Sequence, residues 1–449
     1  MATFVFETGT QADASDFTTD DTLFFLSSNV ANLGVSDSPY TTSSNALGTT
    51  TTFESITLSE GGQSLTFGAV ALADASQAGR LVFTNHDVAV FGVGKDNTGV
   101  LSDDALSLSG GTAGHGAVAF GFDGNDTITG GAANDTINGG AGNDKIDNSG
   151  STSSETDFLL GGAGNDNIIG GAGNEHIYGN VAVGAAGTTD GTDVINAGAG
   201  HDYVNGNAGD DFINGQLGND RLYGGAGNDH IEGGEGNDYI QGNLGDDTLS
   251  DTGTGAANND TIHGGQGNDT ITDDHGSNQL YGDLGNDTVT GGDGADWISG
   301  GDGTDSLIGG AGNDTIVGGT GYDVLTGGTD SDTFVFATGD AGVANLDSAT
   351  TATSHGVVDS VTDFVSGTDH FKLGFTVAAV DTSATTFASV DDAYTYAKTI
   401  LAGHGSDVAA LHVVGSQTYL FWDSTHAAGT IDSAVDLTNN AMVVKADFV

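Results

Sequence analysis

The chain of 449 residues contains no cysteine. No disulfide can support its fold, and thiol chemistry is excluded. Pro39 is the single proline, beside 77 glycines. That composition rules out both the Gly-X-Y pattern of collagen and a proline-rich linker. Basic residues are equally scarce: 7 Lys and Arg face 62 Asp and Glu, a formal charge of -55. Such an excess repels itself in any compact state unless cations neutralise it. It also leaves no basic patch for nucleic acid or an anionic membrane surface. No apolar run approaches the roughly 20 residues of a membrane span, so no membrane insertion is expected. The opening MATFVFETGT lacks the basic and apolar stretches of a cleaved secretory leader.

What the sequence has in abundance is repetition. From Gly121 it reads GFDGNDTIT, GGAANDTIN, GGAGNDKID; after 13 irregular residues it resumes at Gly161 with GGAGNDNII and GGAGNEHIY. Residues 179–187 keep the length and lose the motif, and Asp251 to Thr254 interrupt it again. Twenty-one nine-residue units lie in register between Gly121 and Val335, counting the weak ones at 188–196, 273–281 and 327–335. The first six residues of each unit, G-G-x-G-x-D, predict a turn, where glycine supplies positive φ and close backbone approach. The last three predict a short strand with one apolar residue pointing inward, such as Ile128, Ile137, Ile213, Leu222, Ile231 and Ile316. One unit cannot bury its single apolar residue. Two units make a coil with facing strands, and stacked coils bury a ladder of Ile, Leu and Val. The expected fold is all-β, a right-handed parallel β-roll.

The sixth place carries the chemistry. It is acidic at Asp126, Asp135, Asp144, Asp166, Asp193, Asp202, Asp211, Asp220, Asp229, Asp238, Asp247, Asp260, Asp269, Asp287, Asp296, Asp305, Asp314, Asp323 and Asp332, with Glu175 and Asn278 as exceptions. Stacking places each Asp beside the one 18 residues away, and carboxylates a few ångströms apart repel strongly. A hard divalent cation turns that cost into binding. Ca²⁺ takes six to eight oxygens, carboxylate and backbone carbonyl alike, and glycine turns offer carbonyls. Mg²⁺ demands a small octahedron and sheds water reluctantly, and Zn²⁺ wants Cys or His at a spacing missing here. Multiple Ca²⁺ ions are therefore the expected cofactor, held by these nineteen aspartates.

The pattern resembles that of the RTX (repeats-in-toxin) family, whose motif is G-G-x-G-x-D-x-U-x with U a large apolar residue. The resemblance covers roughly residues 121–335 and divides the chain into an N-terminal β-rich domain (1–118), the calcium-binding β-roll (119–335) and a C-terminal cap (336–449). The stretch DSVTDFVSGTDHFKLGF resembles the segment that caps the β-roll in serralysin-like proteases. Beyond it, Ser389, Asp392 and AYTYAKTIL predict a capped helix, and ALHVVGSQTYLFWD predicts a hairpin with a Gly415–Ser416 turn. The final Ala446, Asp447, Phe448, Val449 resembles the uncleaved type I secretion signal of the same family, with two apolar residues after the Asp where the family has three. This implies export through a type I secretion apparatus of a Gram-negative bacterium. In the N-terminal part, ATFVFET, DTLFFLSS, SITLS, SLTFGAVAL and RLVFTNHDVAVFGV alternate as short strands.

Catalytic motifs are missing. There is no H-E-x-x-H and no G-x-S-x-G, the signatures of the zinc proteases and lipases that carry such repeats. His176, His201, His230 and His263 lie in the repeats and are expected to face solvent. Of the toxins, hydrolases and surface proteins of the family, the last group remains. The expectation is a non-enzymatic, secreted structural protein, a subunit of a surface layer or other extracellular assembly, and thus an oligomer or lattice of itself. An adhesin that binds glycan or lipopolysaccharide is the second reading. A secreted enzyme with an unfamiliar N-terminal domain is the third.

Overall fold

A computed structural model of the chain describes strands between Thr3 and Phe91, then residues 105–108, 117–152, 156–180, 191–253, 258–336 and 359–373. Of the C-terminal stretch it describes residues 379–382, 386–387, 390–401, 407–413, 417–422, 433–438, 443 and 445–449. The molecule is a parallel β-solenoid of about 11 turns over residues 105–335, with one helix near the C-terminus. Its contacts divide it into two compact units, Met1–Ile231 and Glu232–Val449.

In the first unit, two parallel sheets receive alternate repeats. One contains Thr127–Thr129, Lys145–Asp147, Asn167–Ile169, Val194–Gly200 and Phe212–Gly218; the other contains Asp135–Ala141, Thr156–Ala163, Asn174–Tyr178, Tyr203–Ala208 and Arg221–Ala226. Register puts the same repeat position side by side. Ile128, Ile146, Ile168, Ile195 and Ile213 form one row, and Ile137, Leu159, Ile177, Val204 and Leu222 the other. All are buried. The pleat sends most of their neighbours outward, so one apolar residue per repeat makes the ladder at the centre of the core. Each contributes about 1.5–3 kcal/mol by burial. In the N-terminal part, the strands Ile56–Glu60, Gln63–Phe67, Val70–Leu72, Gly79–Val82 and Val88–Phe91 fall where alternation predicts them.

The second unit is wound the same way. Ile240, Ile262, Leu280, Ile298, Ile316, Phe334 and Phe371 share one row; Leu249, Ile271, Val289, Leu307, Leu325 and Val361 share the other. The last members, Phe371 and Val361, come from the C-terminal flank. Phe371 stacks on Phe364 at 4.3 Å and packs against Phe334, Phe336 and Phe448. The predicted helix spans Val390–Leu401. Its buried side, Ala393, Tyr394, Ala397 and Leu401, repeats every three to four residues and packs on Tyr419, Phe421 and Ala434. The predicted hairpin is the antiparallel pair Asp407–Val413 and Gln417–Trp422; the Gly415–Ser416 turn and Ser389 lie outside the described residues. Asp447 is buried and accepts hydrogen bonds from Ser366 Oγ and Gly367 N–H, both at 2.9 Å.

Candidate metal centre

The turns of each unit bring the sixth-place acids into two rows, one per sheet. Along each row the backbone N–H of one residue donates to the side-chain Oδ1 of the row member in the next coil. In the first unit Asp126, Asp144, Asp166, Asp193, Asp211 and Asp229 are linked in this way at 2.7–2.9 Å. The second row there runs from Asp135 to Asp157, and from Glu175 through Asp202 to Asp220. In the second unit one row is Asp247, Asp269, Asp287, Asp305, Asp323 and Asp359. The other is Asp238, Asp260, Asn278, Asp296, Asp314, Asp332 and Asp369. All nineteen aspartates singled out in the sequence stand in these rows, and each is buried. The expected 18-residue step holds in uninterrupted stretches; it becomes 22 or 27 where the repeats break.

The hydrogen bond leaves the second carboxylate oxygen for something else. Oδ2 of Asp260, Asp269, Asp287, Asp296, Asp305, Asp314 and Asp332 is buried without a hydrogen-bond partner. Its surroundings explain the first glycine of the motif. A Cβ on Gly264 would lie 2.3 Å from Asp269 Oδ2 and 2.7 Å from the carbonyl oxygen of Gly282 in the next coil. That spot is therefore kept open and edged by oxygen. The glycine at the fourth place is fixed by shape as well: Gly142 has φ +136°, and its Cβ would meet the Gly124 carbonyl oxygen at 1.7 Å.

Burial governs the titration of these acids. It pushes Asp269, Asp305 and Asp332 up to about 7, and neighbouring carboxylates add to it, Asp247 and Asp287 in the case of Asp269. Asp296 and Asp314 rise to about 6 and Asp260 to about 7 for the same cause. Glu175 rises to about 8, through burial and then the adjacent Asp202. Carboxylates with one oxygen tied to an amide and the other facing carbonyls are poor anions by themselves. They are well-formed ligands for a hard cation, which supplies the missing countercharge and accepts both oxygen types.

Five acids in this interior do not stand in a regular repeat. Asp157, Asp359 and Asp369 extend the rows from irregular sequence. Asp251 and Asp273 replace the first glycine of a repeat and are buried; burial, then Asp260, pushes Asp273 up to about 9. Their signal was available as an acid where the motif wants glycine.

The histidines behave differently from one another. His201 and His230 are exposed as expected. His176 is half-buried between Phe158 and Tyr203, with ring centroids 5.0 and 5.7 Å away, and burial lowers its pKa. His263 lies 3.0 Å from Asp283 and stacks on Tyr281 at 4.5 Å. The aromatic partners on neighbouring coils keep these two from full solvent exposure. Among the described residues the one compact group of three possible metal-binding side chains is all aspartate, and no helix is long and apolar enough to cross a membrane.

Comparison with known families matches this architecture. The family model of the RTX calcium-binding nonapeptide repeat (4 copies) aligns with residues 120–150, 151–181, 187–222, 215–249, 254–289, 274–307, 281–316 and 308–341. The repeats matched within residues 120–341, together with the parallel β-solenoid, fit an RTX β-roll. A search of curated proteins returned no match. Repeats of the RTX type bind Ca²⁺, are typically non-catalytic, and mark a secreted calcium-binding kind of protein.

Proposed function

We propose that this protein is a calcium-dependent structural component of a bacterial exterior, a subunit of a surface layer or similar extracellular assembly. Its nineteen motif aspartates, together with Asp157, Asp359 and Asp369, would hold Ca²⁺ along the RTX β-roll. One observation carries the reading: two rows of buried carboxylates offer an oxygen that accepts no hydrogen bond at Asp260, Asp269 and five further places, in a chain with almost no basic residues to pair with them. An assembly role is supported by the regularity of the outer faces, where a contact made on one coil recurs on the next. Val194 and Phe212, partners in register, are both exposed apolar residues on such a face. A non-enzymatic role is supported by the missing catalytic motifs.

Calcium titration of the purified, chelator-treated chain tests the scaffold, read by circular dichroism. A cooperative gain of β-signal is expected, and an unchanged β-signal in chelator would refute it. Negative-stain imaging across the same series tests assembly: sheets, rings or filaments are expected as calcium rises past the folding transition. Monomers that persist at millimolar calcium and high protein concentration would end the assembly reading.

The adhesin reading has its own observation. Tyr178, Tyr203 and Tyr223 lie 5.3–5.7 Å apart on consecutive coils, and Tyr239, His263 and Tyr281 form a second such row. Rows of half-buried rings suit stacking against sugars, and binding to a glycan array by the monomer would favour this role.

A further inference from the structure

The two interruptions of the repeats are chemically opposite. In both, the residue in the place of the first glycine carries a polar side chain that points into the roll. At the first interruption this is Asn148, fully buried, whose Nδ2 donates to Asp157 Oδ2 at 2.9 Å. The amide gives the carboxylate that it meets a proton donor, while its own Oδ1 is buried without a hydrogen bond. At the second it is Asp251, 2% exposed, which has no proton to donate when ionised.

Asp251 meets two other acids. Its carboxylate, that of Asp238 and that of Asp260 each place an oxygen within 4.8 Å of the others. A Cβ on Gly233 would lie 2.4 Å from Asp251 Oδ2 and 2.7 Å from Asp238 Oδ2. In the regular coils this spot is shared by one carboxylate oxygen and a glycine carbonyl; here two carboxylates share it. The Oδ1 atoms are engaged: Asp251 accepts from Gly253 N–H at 2.9 Å and Asp260 from Asp238 N–H at 2.7 Å. The Oδ2 atoms of Asp251 and Asp260 are buried and accept no hydrogen bond. Asp273, the register partner of Asp251 one coil on, is equally buried, and its Oδ2 has no hydrogen bond.

We propose that Asp238, Asp251 and Asp260 together hold one Ca²⁺ inside the roll, at a site created by the interruption at Asp251 rather than by the nonapeptide motif. Two oxygens on one Ca²⁺ at about 2.4 Å lie at most about 4.8 Å apart, so the three are close enough to share an ion. The donors are oxygen alone, which excludes a preference for Zn²⁺. Among the described residues this is the one compact group of three such side chains, and affinity at such sites follows ligand charge. The site rests on the calcium-scaffold reading above.

The test compares the full-length protein with Asp251→Asn, which copies the arrangement that Asn148 shows to be compatible with folding. Native mass spectrometry after calcium loading and buffer exchange counts the ions. The variant is expected to fold with an unchanged circular dichroism spectrum and to carry one calcium fewer. Anomalous diffraction from the calcium-loaded wild type, which needs no variant, is expected to show a peak enclosed by the three carboxylates. An equal ion count, or a map without that peak while other peaks are present, overturns this site and leaves the scaffold reading intact. A wild type that binds no calcium anywhere overturns both. Should Asp251→Asn fail to fold, the anomalous map decides.

Discussion

At Gln216 the backbone has φ +72°, in the second place of a repeat that other units fill with glycine such as Gly225 at φ +121°. Asn207, Asn243 and Asp283 carry the same burden. A left-handed conformation costs a side chain-bearing residue about 1–2 kcal/mol, and glycine returns part of the gain through unfolded-state entropy. Gln216 is exposed, so its side chain contributes little to offset the strain. Gln216→Gly is expected to raise stability in calcium by about 0.5–1 kcal/mol, read as a higher thermal midpoint. The first glycine predicts the opposite. A Cβ on Gly139 would stand 2.3 Å from Asp144 Oδ2 and 2.6 Å from the Gly161 carbonyl oxygen. Gly139→Ala must therefore displace either a ligand-like oxygen or the backbone of the next coil. A destabilisation of roughly 1–3 kcal/mol and weaker calcium binding are expected in the same titration.

At the scale of the element, the strand and turn of each repeat were legible because they are local: glycine sets the turn, and one inward residue in nine sets the strand. The helix Val390–Leu401 was legible for the same reason, through its spacing of Ala393, Ala397 and Leu401. What spacing could not reveal was height in the stack. Asp359 and Asp369 join rows across gaps of 36 and 37 residues, where the sequence beyond Val335 carries no nonapeptide motif by which to count coils. Asp251 was passed over as part of an interruption, although an acid that replaces an inward glycine has nowhere to go except the interior.

The stacked element also has a pH signature. Asp305 has an ordinary value of 3.8 and is raised to about 7 in the roll. Asp269 and Asp332 follow it. The folded state thus holds these protons more tightly than the unfolded chain does. Their contribution to the metal-free fold is fully present below about pH 4 and is lost as pH rises through about 7. In chelator, acidification from pH 8 to pH 5 is expected to increase the β-signal. With calcium the order reverses, because protons and the ion compete for the same oxygens, and bound calcium is expected to fall over that window. A metal-free chain whose spectrum is indifferent to pH between 8 and 5 would contradict the assignment of these shifts to burial in the roll.

At the scale of the whole molecule, a charge of -55 poses two separate problems. Surface carboxylates are screened by simple salt, with a Debye length of about 10 Å at 0.1 M. Buried ones in adjacent coils, whose strands lie about 4.8 Å apart, are too close together and too dry for screening to reach. Sodium chloride and calcium should therefore be distinguishable. In chelator, 0.5 M NaCl (an ionic strength at which Debye screening is about 4–5 Å) is expected to compact the chain without restoring its β-signal. Calcium at millimolar concentration is expected to restore both. Small-angle scattering with circular dichroism separates the outcomes, and full β-structure in salt alone would show that the interior acids need no bound ion.

Along the rows of buried acids, the amide-to-carboxylate bonds have a further property: within each unit they point the same way. Asp287 donates to Asp305, Asp305 to Asp323, and Asp323 to Asp359; beside them Asp314 donates to Asp332 and Asp332 to Asp369. Each row is thus a vector, with a head that offers acceptors and a tail that seeks them. The C-terminal flank provides the final acceptors, and its Phe364 and Phe371 seat the final ring stack. Without the flank, the amides of Asp323 and Asp332 would lose the carboxylates of Asp359 and Asp369 that accept from them. The flank is therefore a terminus in the chemical sense: it closes two rows that would otherwise end on buried amides with nothing to bond.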